Sequence, residues 1–384
     1  MINFFKDSGL ETSYLRDLSS KCDAINGINL SQGICDDGTP SILLDEACIA
    51  IMKGNNSYSS HFGANNLRDA IVWKYYSFNK INISQKNVVV CSGATGGFIC
   101  TCIALFEKGD EVILFEPFYP YHVITLKALG INPIICKYDN PDEQTIDFEL
   151  LQGLVTSNTK AILLCTPANP SGKVLTKSEL EEFGLIIEKF DLYLISDEIY
   201  EYITYFESHP HISPASIKSL QSRTITISGF SKTFAVTGWR VGYVIAHHTI
   251  ISRIALVNDF YYICAPTPLQ HALSQVLQKI DATYFRNLSS VYFGKMNYAL
   301  EMLTEAGFSA SIPYGAYYLM CKCAILPGES SLDKALYLLN KTGIAAVPGQ
   351  NFYLSPADGN DVLRVCFSKS LNILEEARDR LALL

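Results

Sequence analysis

The sequence predicts an α/β protein, with a mostly parallel seven-stranded sheet flanked by helices and a smaller α+β domain. Between about residue 87 and residue 246, seven short runs rich in Val, Ile, Leu and Phe alternate with stretches of helical periodicity. Most of these runs are apolar throughout rather than alternating, the pattern of strands covered by helices on both faces. The residues suited to ligand chemistry fall in the turns that end the runs, and open parallel sheets bind ligands at the carboxyl ends of their strands.

The length of 384 residues suits one large and one small domain around a buried core. A hydrophobic share of 48% against a charged share of 18% excludes a disordered or fibrous chain. The net charge of -8 leaves no basic excess to neutralise a phosphate backbone, so a general nucleic-acid binder is not expected. The opening stretch MINFFKDSGLETSY has no sustained apolar run, and no later run approaches about 20 residues, so a cytoplasmic protein without a membrane contact is expected. The 12 cysteines are scattered, without paired CxxC or His spacings. They predict reduced core thiols and no metal.

Residues 1–45 read as an irregular N-terminal segment joining the smaller domain. It holds a short strand near Ile28–Leu30 and a loop punctuated by Gly33, Gly38 and Pro40. Helical periodicity begins at Leu43, and Asn65–Asn66 are expected to cap a helix carrying Leu67, Ile71 and Tyr75. The strands are predicted at Val88–Cys91, Val112–Phe115, Pro133–Cys136, Ala161–Cys165, Tyr193–Ser196, Thr224–Ile227 and Val241–Ala246. The large domain spans 46–280 and the small one 281–384. The latter has strands near Tyr317–Cys321, Ile344–Val347 and Leu363–Phe367, and helices near Ser331–Thr342 and Leu371–Leu384.

Six stretches carry chemistry. Ser92 to Gly97, SGATGG, opens a helix, and a glycine-rich turn there offers free N–H groups and the positive dipole end to an anion. Glu116 to Tyr121, EPFYPY, supplies rings able to confine a flat ligand. In Thr166 to Gly172, TPANPSG, Asn169 precedes a proline, where a cis peptide bond is cheap. In Ser196 to Tyr200, SDEIY, Asp197 ends an apolar strand. In Ser228 to Val244, SGFSKTFAVTGWRVGYV, Lys232 stands just past a strand end, where desolvation makes an amine a Schiff-base nucleophile. Arg240 follows eight residues later, with a fork of donors suited to phosphate. Last, Arg364 lies inside the apolar run VLRVCF, where burial without an anionic partner is costly.

Taken in order, these stretches resemble the signature of class I/II, aspartate aminotransferase-like, fold-type I enzymes, which depend on pyridoxal 5'-phosphate. The likeness runs from Gly33 to Arg364. It implies an aminotransferase that passes an amino group between an amino acid and a 2-oxo acid in a ping-pong cycle. Lys232 would be the Schiff-base lysine and proton shuttle, with Asp197 at the pyridine nitrogen and Tyr200 and Asn169 at the cofactor hydroxyl. Gly93, Ala94, Thr95, Ser231 and Arg240 would hold the phosphate, and Tyr119 would stack on the ring. Gly33, Asn169 and Arg364 would receive the substrate carboxylate. Tyr58 matches a tyrosine that reaches the neighbouring subunit's cofactor, which implies a homodimer.

The loop keeps Gly33, Asp36, Thr39 and Pro40 of the pattern GxPDFxTP but has Cys35 and Asp37 for its proline and aromatic. Thr166 and Gly229 likewise replace an asparagine and a phosphate-binding serine, and Ser228 stands beside the gap. The helix after the glycine-rich turn has no Lys or Arg for a second carboxylate, and Asp37 would repel acidic side chains. A neutral or basic donor is therefore expected, with Asp37 at the substrate. A carbon–sulfur or β-lyase shares all these cofactor residues, and a non-catalytic sensor domain is a further alternative of another class.

Overall fold

The computed structural model describes residues 14–140 and 142–384, so most of the opening stretch read above lies outside the described residues. The apolar runs form β2 (Val88–Cys91), β3 (Glu111–Glu116), β4 (Asn132–Lys137), β5 (Thr159–Cys165), β6 (Tyr193–Asp197), β7 (Thr224–Gly229) and β8 (Gly242–Ile245). The short β1 (Ile28–Asn29) precedes them. Their order in one seven-stranded sheet is β2-β8-β7-β6-β5-β3-β4. The β7-to-β4 neighbours pair in parallel, while β8 runs antiparallel to both β2 and β7.

The continuous apolar sequence is explained by burial on both faces. Val112 and Leu114 point into one core with Phe98, Val123, Leu126 and Ile254. Ile113 and Phe115 point into another with Leu180, Phe183 and Ile187. Because side chains alternate along a strand, both cores draw on the same β3. Helix Lys177–Phe190 is fixed at its start by a capping box between Thr176 and Glu179, a motif that satisfies two otherwise orphaned donors.

The C-terminal part builds a second sheet, β12-β13-β10-β9, from β9 (Ser309–Ala310), β10 (Tyr318–Lys322), β12 (Val347–Pro348) and β13 (Val362–Cys366). The run expected as one strand over 344–347 is split at Ala346. Its first half, β11 (Ile344–Ala345), pairs with β1, and β12 pairs with β13. The N-terminal segment is thereby tied to this region, and Leu18, Cys22 and Ile28 share a core with Met296, Leu338 and Leu374.

Two further local expectations change. Helix Asn65–Lys74 has Ala64 at its N-cap. Asn66 does not cap it but reaches His271 Nδ1 and Ser274 Oγ, both at 2.8 Å. Helix Gly93–Leu105 begins within the glycine-rich turn itself, after Ser92. Among the described residues no helix is long and apolar enough to cross a membrane.

Buried charge fixes the turn after β6. Glu198 is fully buried and accepts His211 Nε2 and Ser213 Oγ, both at 3.0 Å, and Thr226 Oγ1 at 3.2 Å. Glu201 accepts Lys74 Nζ at 2.6 Å on both oxygens and Asn79 Nδ2 at 3.1 Å. Burial alone would lower the Lys74 pKa, but Glu201 outweighs it and, with Tyr202 and Tyr243, moves it upward. Lys74 therefore stays charged, and the turn carrying Asp197 and Tyr200 is held by these partners.

Candidate active site

A cavity of about 620 Å³ opens where the carboxyl ends of the parallel strands meet the second sheet. Its lining brings together Gly33, Ala94, Thr95, Tyr119, Asn169 and Asp197, and also Tyr200, Ser231, Lys232, Arg240 and Arg364. Gly93 lies immediately behind the lining. Its φ of 70° is the left-handed region that glycine tolerates, and a Cβ there would come within 2.5 Å of Arg240 Nη2. Gly242 on β8 has the same function from below, since its Cβ would fall 2.6 Å from Ala94 N. The close packing leaves the N-terminus of helix Gly93–Leu105 facing the cavity beside a guanidinium, an anion cradle.

Lys232 is half-buried, and its Nζ donates to Gly33 O at 3.0 Å. The ring centres of Tyr317 and Tyr200 lie 5.6 and 5.8 Å from it. Burial lowers its pKa; Cys35 and Cys366 oppose this, and Arg364 and Arg240 add to it. The neutral, nucleophilic amine is thus a larger fraction at a given pH than in an exposed lysine.

The floor is acidic. Asp197 Oδ2 accepts His122 Nε2 at 3.1 Å, and Oδ1 accepts the Ile199 N–H at 3.2 Å. His122 is 4% exposed, between the rings of Phe98 and Tyr119. Tyr200 OH and Tyr318 OH are 3.0 Å apart. Burial, with Tyr318 adding, raises the Tyr200 pKa well above that of an ordinary phenol, so Tyr200 keeps its proton to donate.

Arg364 is 4% exposed, and no carboxylate pairs with it among the described residues. Nη1 donates to Asn169 Oδ1 and Nη2 to Ser31 O, both at 2.7 Å, while Nε has no partner. Tyr318 stacks with its ring centre 4.2 Å from the guanidinium carbon. A buried cation held only by neutral groups, with one donor unmet, is poised for an anion.

Two of the sequence-predicted residues stand apart from this cavity. Asp37 is not in its lining; its carboxylate pairs with Lys295, so its charge is answered by a cation and not presented to a ligand. Tyr58 is 79% exposed and lines a separate surface hollow with Ser57, Ser60 and Asn65. Ser228 does not fill the place of the absent phosphate serine. It is fully buried and donates to Glu198 O at 3.3 Å and to Glu201 Oε1 at 3.4 Å. The Asn169–Pro170 bond is cis, and Thr166 Oγ1 accepts the Leu175 N–H at 3.2 Å.

His122, Tyr317 and Tyr318 were not singled out from the sequence. His122 lies on helix Pro120–Ala128, three residues after its N-cap Tyr119, and the two rings meet at 5.2 Å; that spacing was the available signal. The expected cofactor fits these residues. A cradle that only glycine permits meets a guanidinium, a buried carboxylate lies at the floor, and an amine of lowered pKa stands beside them.

The sequence model of the family described as aminotransferase class I and II matches residues 25–381. The chain is 31% identical to an aspartate aminotransferase of Pyrococcus abyssi, covering 92% of this chain and 90% of that one. It is 29% identical to a probable kynurenine–oxoglutarate transaminase of Saccharomyces cerevisiae, covering 93% and 86%. The solved N-succinyldiaminopimelate aminotransferase of Mycobacterium tuberculosis superposes with a TM-score of 0.93 at 28% identity, covering 97% of each chain. A match over this length joins the cavity to the sequence pattern, and the chain belongs to the class I and II aminotransferases, enzymes that use pyridoxal phosphate to transfer amino groups.

Proposed function

We propose that the amino donor is an amino acid with a neutral apolar or aromatic side chain, and that a 2-oxo acid is the acceptor in a second half-reaction. The cavity wall carries this reading. Outside the cofactor residues most of it is apolar or aromatic, with Phe118, Tyr121, Ile124, Tyr353 and Leu354 beside Lys127 and Asn351, and its only acidic lining group is Asp197. An apolar side chain gains by leaving water there, whereas the short side chain of aspartate would set a second carboxylate among these apolar groups. The basic half of the sequence expectation has no support, because Asp37 is paired with Lys295.

Each residue then has a task. Arg364 and Asn169 bind the substrate α-carboxylate, and the Gly93–Thr95 turn, Ser231 and Arg240 bind the phosphate. Tyr119 confines the ring, while His122 orients Asp197 so that its charge stays at the floor. Tyr200 would donate to the cofactor hydroxyl, and Lys232 would take up and return the proton at substrate Cα. Bound there, pyridoxal phosphate supplies the electron sink that stabilises negative charge at Cα.

Stopped-flow mixing of the loaded enzyme with single amino acids ranks donors by the loss of cofactor absorbance. Phenylalanine, tyrosine, kynurenine or methionine should react faster than aspartate; the reverse order would overturn the reading. A second reading has one specific support. Lys127 lines the mouth on the same helix as Ile124, without an ion pair among the described residues. It favours a long apolar stem ending in a carboxylate, and Lys127→Met would then slow only such donors.

The exposed Tyr58, Met52 and Phe260 support a homodimer in which Tyr58 meets the partner's site. Sedimentation at nanomolar concentration tests this. We further propose domain boundaries at 45/46 and 280/281 and a cytoplasmic location, which limited proteolysis and cell fractionation test.

A further inference from the structure

The loop from Gly33 to Thr39 meets the cavity at Gly33 and is held from several sides. Gly33 O accepts both Lys232 Nζ and Tyr317 OH at 3.0 Å. Ile34 O accepts Ser368 Oγ at 2.9 Å, and Thr39 Oγ1 donates to Ala235 O at 3.3 Å. Asp36 pairs with Lys369 at 3.3 Å, and its N–H donates to Ser368 O at 3.2 Å. A second ion pair joins Asp37, whose side chain is 36% exposed, to Lys295, whose side chain is 4% exposed. Lys295 belongs to helix Ala282–Glu305, and no other carboxylate pairs with it among the described residues.

One turn earlier on that helix, Tyr292 is buried with its ring centre 5.6 Å from Tyr317 and 5.4 Å from Lys295 Nζ. Cys35 packs against the same apolar core as Tyr292. A single helical turn thus holds the loop at Asp37 and braces the tyrosine that holds Gly33.

We propose that Lys295 and Asp37 form a clasp that seats the Gly33 carbonyl on the Lys232 amine, which makes both of them positioning residues for the transfer reaction. The seat has little slack. A Cβ on Gly33 would clash with Tyr318 OH and lie 3.1 Å from the Tyr317 ring, so the loop cannot press further inward. Outward movement would pull Asp37 from a lysine with no other anion, leaving a buried cation unpaired. The loop therefore has one favoured position, with the Gly33 carbonyl on the Lys232 amine. Losing the clasp lets the loop lift and water reach Lys232.

The inference rests on Lys232 as the reacting amine, but its main readout does not. Hydrogen exchange on the cofactor-loaded full chain should show amides 33–37 of Asp37→Asn exchanging at least about tenfold faster than wild type, with 224–229 unchanged. After cofactor removal, the pH midpoint for acylation of Lys232, read by mass spectrometry, should rise toward that of an ordinary lysine. Asp37→Glu, which keeps the pair, should restore both readings.

If Asp37→Asn does not fold, Asp37→Leu with Lys295→Met removes both charges and is expected to give the same two changes. A lower melting temperature with unchanged loop exchange and unchanged Lys232 midpoint, in either variant, would make the pair purely structural and overturn the proposal. A fully active Lys232→Ala would instead fault the assignment of the amine and leave the exchange result standing.

Discussion

His122 Nε2 lies 3.1 Å from Asp197 Oδ2, and both side chains are buried at the cavity floor. The imidazole fixes which way the carboxylate points. His122→Phe should keep the packing against Phe98 and Tyr119 but free that oxygen. A hydrogen bond to a charged group is worth roughly 1.5–3 kcal/mol, so kcat should fall about 10- to 100-fold. Steady-state kinetics on well-folded protein check this; unchanged kcat would remove His122 from the site.

Arg364 offers a different test. Lysine cannot reproduce a fork that holds Asn169 and Ser31 at once and still offers a donor to an anion. Arg364→Lys should raise KM for every α-amino acid, while cofactor binding stays near wild type. Equilibrium titration with cofactor separates the two. A variant that lost cofactor and kept KM would place Arg364 at the phosphate.

The architecture was legible because the chemistry of burial is local. Strands such as Val88–Cys91, buried at every residue, need continuous apolar sequence, and the turn after a parallel strand must carry the ligand groups. Pairings between distant residues were not legible. Asp37 and Lys295 are 258 residues apart, and no period in the sequence links them, so Asp37 read as a free charge at the substrate. The split of 344–347 into β11 and β12 has the same origin, since two short strands with different partners look like one apolar run.

The Lys74–Glu201 pair should matter for stability. The two side chains are 3% and 4% exposed and 2.6 Å apart. Lys74→Met would leave Glu201 buried with Asn79 and Ser228 as its remaining partners. Breaking a buried pair from one side costs about 3–5 kcal/mol. Urea unfolding should show that loss, and Lys74→Met with Glu201→Leu should recover most of it.

The lowered pKa of Lys232 predicts how stability varies with pH in the cofactor-free protein. Its main cause is burial, which penalises the ammonium form in the folded state only. The unfolded chain therefore binds this proton more readily, and stability rises with pH across the interval between the folded and unfolded values. Below the folded value the full penalty is present; above the ordinary lysine value, where both states are neutral, it vanishes. Lys232→Met has no proton to bind and keeps similar volume, so it should be more stable than wild type at neutral pH. That advantage should shrink as pH rises toward the ordinary lysine value. The loss of the Gly33 contact works against the gain, at roughly 0.5–1.5 kcal/mol for a typical hydrogen bond, and does so at every pH. The shape of the difference, larger at neutral pH than in alkali, is thus the diagnostic. Paired melting curves of the two proteins from neutral to alkaline pH measure it, and a difference independent of pH would mean that Lys232 is not desolvated in the fold.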